Sequence, residues 1–103
     1  SEEGEDPIDS ARRELLEETG YGGGEWQLWM TISANPSTTT NLTYCYLATN
    51  VELMSTQQLE ETEDITVHLL TEKEVKALLV NDEIRQALMA APLWKYFANV
   101  NKV

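Results

Sequence analysis

Three glutamates, Glu14, Glu17 and Glu18, stand three and four residues apart, so that on a helix their carboxylates project to one side. Left unpaired, each like-charge pair at this spacing costs a helix roughly 0.2–0.5 kcal/mol. A cation among them removes that cost, and hard Mg²⁺ or Mn²⁺ takes this kind of oxygen ligand. A second acidic block, Glu60, Glu61, Glu63 and Asp64, has no base among its members. Runs of like charge also form plain solvated faces or tails, and spacing by itself leaves both readings open.

The elements that must position these acids are legible from local signals. Asp6 before Pro7 reads as a helix start, with Asp6 able to cap free N–H groups and Pro7 needing none at the first helical position. Gly20 is the stop. Ile8, Ala11 and Leu15 fall on one stripe, with Glu14, Glu17 and Glu18 beside it, which gives the helix a core face and a carboxylate face. Gly22, Gly23 and Gly24 make a turn before Trp26, Leu28, Met30 and Ile32, whose period of two predicts a strand with one buried side and Trp29 on the other. Residues 35–41 are turn chemistry, and Leu42 to Ala48 resumes as a strand. Met54 to Gln58 gives no clear signal. Ile65, Val67 and Leu69 alternate as another strand, and Thr71 with Glu74 forms a capping box for a helix through about Val80. Ile84, Ala87 and Leu88 predict a further helix, and Pro92 marks either a break or the first turn of a last one carrying Leu93, Trp94 and Phe97. Strands mixed with helices predict an α/β layered architecture.

Composition bounds the rest. At 103 residues and 42% apolar content the chain can bury one thin core, and two independent domains are excluded. Eighteen acids against seven bases give a formal charge of −11, which argues against nucleic acid as a partner and requires a metal for any polyanionic ligand. The lone Cys45 can form no internal disulfide, no stretch approaches the roughly 20 apolar residues of a membrane span, and a cytoplasmic setting fits. The small sheet with an exposed edge, together with the abrupt start at Ser1-Glu2-Glu3-Gly4, leads us to expect an N-terminal portion before this chain. Trp26, Trp29 and Tyr46 are then candidates for exposure.

Glu5, seven further residues, then Arg13-Glu14-Leu15-Leu16-Glu17-Glu18-Thr19-Gly20-Tyr21 resembles the signature box of the Nudix hydrolases, G-x5-E-x7-R-E-U-x-E-E-x-G-U. Every fixed position from the first glutamate onward matches. The opening glycine would fall two residues before Ser1. The resemblance implies an α/β fold with a mixed sheet between helices, an α/β/α sandwich here lacking its N-terminal strands, with residues 1–103 as part of one domain and the box at 5–21. It also implies a loop–helix–loop unit that holds Mg²⁺ or Mn²⁺ against a diphosphate, with Glu14 and Glu18 at the usual ligand positions and Glu17 at a position that adds a further ligand or catalytic carboxylate. Arg13 reads as a partner that orients a box glutamate, and Glu5 as a brace.

Two further features resemble the ADP-ribose and ADP-sugar pyrophosphatase branch. Pro36 lies fifteen residues beyond Tyr21, and the stretch from Glu61 to His68 looks like that branch's acidic loop and following strand. By that resemblance Glu61 is the general base and Glu63 an extra metal ligand. A base outside the helix makes chemical sense, because carboxylates bound to metal keep little basicity for a proton. The resemblance implies hydrolysis of a nucleoside diphosphate linked to another moiety, and a homodimer of the full-length protein. Rival readings are hydrolysis of another pyrophosphate, such as a dinucleoside polyphosphate, coenzyme A or an oxidised nucleotide, and a Nudix-like module that binds without cleaving. His68 reads as a half-exposed strand residue, and Cys45 as packing.

Overall fold

The computed structural model describes residues 4–33 and 42–100. Helix α1 (Pro7–Thr19) is followed by β1 (Tyr21–Gly22), β2 (Glu25–Ser33), β3 (Leu42–Thr49), β4 (Glu52–Leu53), α2 (Glu72–Val80) and α3 (Ala87–Val100). β1 pairs antiparallel with β4, in the register Tyr21 to Leu53 and Gly22 to Glu52, and β2 pairs with β3. Three helices with small sheets make a mixed α/β fold of the kind the box implies. The predicted turn at 35–41, Pro36 included, lies outside the described residues, as do Glu2 and Glu3. No helix among the described residues is long and apolar enough to cross a membrane.

The chain divides into two compact units, Ser1–Trp29 with Tyr46–Val67, and Met30–Cys45 with His68–Val103. The first holds α1, β1 and β4. Pro7 opens α1, and Gly20 closes it in the left-handed conformation (φ 82°), its N–H donating to Leu16 O at 2.8 Å. A Cβ at Gly20 would lie 2.1 Å from the carbonyl oxygen of Ser55, so this position needs glycine for both its backbone angle and its close neighbour. Ile8, Ala11 and Leu15 are half-buried, as their stripe predicted. The expected Asp6 side-chain cap does not form: the residue is exposed, and only its carbonyl takes part, accepting from Ser10 N at 3.0 Å. Asp9 brings a second negative charge to the same turn.

In the second unit α2 begins with the complete capping box: Glu74 N donates to Thr71 Oγ1 at 3.1 Å, and Thr71 N donates to Glu74 Oε1 at 2.9 Å. Its core is thin, with Leu79 and Phe97 the buried apolar residues among those described, and Tyr96 meets Phe97 edge-on at 5.4 Å. Three expectations do not hold. Residues 65–69 form no strand, because β2 with β3 and β1 with β4 are the only ladders among the described residues and neither offers them a partner. His68 is accordingly an exposed residue outside any strand. Helix α3 runs through Pro92 instead of breaking there; Leu88 before it is half-buried and Phe97 after it is buried, and packing on both sides offsets the lost N–H. Exposure also falls elsewhere than expected: Trp26, Trp29 and Tyr46 are half-buried, while Leu28, Leu53, Met54 and Leu69 are open to solvent.

Candidate active site

The second half of α1 carries the first acid set. Glu14 is exposed, and Glu17 and Glu18 are half-buried. Arg13 sits between this set and the loop before the helix. Its Nε donates to Glu5 Oε2 at 3.2 Å and its Nη2 to Glu5 Oε1 at 3.1 Å, while Nη1 reaches both oxygens of Glu17 at 3.3 and 3.4 Å. The hydrogen bonds to Glu5, and then those to Glu17, push the guanidinium above its ordinary range and fix it as a cation. Glu5 and Arg13 therefore play the bracing parts assigned to them from the sequence.

The acidic loop reaches the same helix through a strap that the sequence did not reveal. Met54 N and Ser55 N both donate to Gly20 O, at 2.8 and 3.1 Å, and Gln58 N donates to Glu17 O at 2.7 Å. The Gln57 amide adds Nε2 bonds to Glu18 O at 2.7 Å and Ile65 O at 3.1 Å. A helix C-terminus exposes carbonyls without intrahelical donors, and the strap supplies those donors. Nothing in the residue types of 54–58 announces this, since three of the five contacts are made by backbone.

Within the loop, Glu63 N donates to Glu60 O at 2.9 Å and Glu60 N donates to Glu63 Oε1 at 2.8 Å, so the Glu63 side chain closes its own turn. The Glu18 carboxyl is raised above its usual range by burial first, then by the charges of Glu14, Glu63 and Glu17. The fold thus brings Glu63 into electrostatic range of the helical set. Glu61 is exposed and is not among the charges acting on Glu18.

The donor set suits a hard divalent cation in type and sign: it is all oxygen, all anionic, and self-repelling at Glu18. Among the described residues no three such side chains converge into a ready-made shell. Cys45 is half-buried in β3 and burial raises its thiol above the ordinary range, which fits packing and not nucleophilic attack. Beside Arg12, Leu16, Gly22, Trp26 and Met54 lies a cavity of about 470 Å³, where the Arg12 guanidinium stands 5.7 Å from the Trp26 ring centroid. Arg12 and Leu16 project from α1 roughly opposite Glu14 and Glu18, while Arg13, which also lines the cavity, bonds Glu17 of the acid set.

A Nudix domain family model matches residues 1–91, and the chain belongs to that family. The match runs from before α1 into the first turns of α3. Membership brings pyrophosphate hydrolysis as the general class of activity, small-molecule pyrophosphates as the class of substrate, and divalent metal ions as the usual cofactor. No curated protein matches the chain.

Proposed function

We propose that the protein hydrolyses the diphosphate bridge of ADP-ribose or an ADP-sugar, releasing AMP and a sugar phosphate. The observation that carries this reading is the attachment of the acidic loop to the carboxylate helix, with both Gln57 and Gln58 bonded to the last turn of α1. A box helix is common to hydrolases of many pyrophosphates; a second acid set fastened to it fits the ADP-ribose branch, which the Glu61–His68 stretch resembles. Pro36, the other feature of that branch, lies outside the described residues. The same resemblance supports residues 1–103 within one Nudix domain and a homodimer, and the lone Cys45 supports a cytoplasmic setting.

In this proposal Glu14 and Glu18 hold the divalent ion, Glu63 assists them, and Glu17 contributes a further carboxylate whose direction is set by Arg13. When bound, Mg²⁺ or Mn²⁺ neutralises charge on the diphosphate oxygens and makes the attacking water more acidic. Glu61 takes the proton from that water. It is suited to this because it is exposed, stands outside α1, and lies within the hydrogen-bonded Glu60–Glu63 turn. Arg13, held by Glu5, keeps Glu17 from swinging away.

The test is a Mg²⁺-dependent assay of ADP-ribose beside a dinucleoside polyphosphate, coenzyme A and an oxidised nucleoside triphosphate. Fastest turnover of ADP-ribose, with AMP and ribose phosphate as products, supports the proposal. Preference for another member moves the substrate, and no hydrolysis of any contradicts the activity.

A further inference from the structure

The stretch 54–58 carries no recognisable motif, yet it makes the contacts that place the acidic loop. The entrance of the loop is fixed by Gln58 N on Glu17 O at 2.7 Å. The exit is fixed by one side chain: Gln57 Nε2 spans Glu18 O at 2.7 Å and Ile65 O at 3.1 Å. Glu18 belongs to the carboxylate set on α1, and Ile65 comes two residues after Glu63. Residues 59–64 therefore form a hoop with both feet on the end of α1, and inside it the reciprocal Glu60–Glu63 bonds hold the turn.

We propose that Gln57 is a positioning residue that sets where Glu61 and Glu63 stand relative to Glu14 and Glu18. The inference rests on the function proposed above. The chemistry of the site favours an amide here. Its –NH₂ group offers two donors to two carbonyls without adding charge. A lysine or arginine would bring a cation beside carboxylates reserved for metal, and a glutamate would set an anion against both carbonyl oxygens. The strap itself keeps three backbone bonds, from Met54, Ser55 and Gln58, when the Gln57 side chain is changed. The loss accordingly falls on the loop exit and not on the helix.

Misplacement of a reacting group by about 1 Å can cost on the order of a hundredfold in rate. Gln57→Leu and Gln57→Glu keep similar bulk and remove both donors, so both should lower kcat by about that factor while KM changes little. The readout independent of activity is amide hydrogen exchange in the metal-free protein. In both variants exchange should rise over residues 59–66 and stay unchanged over 7–19. Unchanged exchange over 59–66, exchange that rises equally through α1, or full kcat in either variant would overturn the proposal. If the wild-type protein cleaves no diphosphate, the functional reading falls, and the exchange pattern alone decides whether Gln57 holds the hoop.

Discussion

Arg13 grips Glu5 across eight residues with two bonds, Nη2 to Oε1 at 3.1 Å and Nε to Oε2 at 3.2 Å, and reaches Glu17 with its remaining nitrogen. A planar fork is needed to serve both carboxylates at once, and lysine is a point charge that serves one. Arg13→Lys should therefore keep the fold, lower the melting temperature slightly, and reduce kcat more than it raises KM. Arg13→Ala should do all of this more strongly. Equal kcat in wild type and Arg13→Lys would show that the orientation of Glu17 does not matter to turnover.

Gly20 stands at the meeting of α1 and the strap. A non-glycine residue in the left-handed conformation costs roughly 1–2 kcal/mol, and at this position the added Cβ also collides with Ser55 O. Gly20→Ala should destabilise the protein by at least about that amount in urea unfolding and should also impair activity, because the strap has to shift. A loss of only a few tenths of a kcal/mol would mean that the strap is not seated as described.

The Thr71 capping box gives a pH signature unrelated to the candidate site. The Thr71 backbone N–H, and then its hydroxyl, hold the Glu74 carboxyl below its ordinary range. A folded-state value below the unfolded one adds stability above the ordinary 4.5, and this is lost as pH falls through the depressed value. Glu74→Ala should cost stability near neutrality, with the gap from wild type narrowing as the wild-type carboxyl takes up its proton in acid. A gap that is constant from pH 7 to pH 3 would contradict the assignment.

Glu61→Gln separates the base from the metal ligands. As the proton acceptor, Glu61 must be ionised to work, so its amide variant should lower kcat and flatten the acidic limb of the pH–rate profile while metal affinity stays close to normal. Recovery of full rate on adding Mg²⁺ would make Glu61 a ligand instead.

What the sequence disclosed is what the chain encodes locally. Pro7 with Gly20, and Thr71 with Glu74, mark helix ends within a few residues, and both helices form there. The spacing of Glu14, Glu17 and Glu18 follows from the helix alone. The alternation of Ile65, Val67 and Leu69 misled because a strand requires a ladder partner, which periodicity cannot supply. β1 and β4, two residues each, are too short to show any period. The Met54–Gln58 strap was invisible because its contacts are chiefly backbone bonds to a helix more than thirty residues away, and a lone glutamine in a polar stretch marks nothing.

In the proposed function the carboxylates of α1 hold the divalent ion that supports diphosphate cleavage. This is tested most directly by following AMP release from ADP-ribose as Mg²⁺ is titrated, with wild type and Glu18→Gln side by side. Glu18→Gln keeps the shape of the side chain and removes a charge that burial and three neighbouring acids already disfavour, so the variant should fold as well as wild type. Wild type should show Mg²⁺-dependent turnover, and the folded variant should have a kcat lower by orders of magnitude. Near-normal turnover in Glu18→Gln, or wild-type turnover that persists in excess chelator, would contradict this reading.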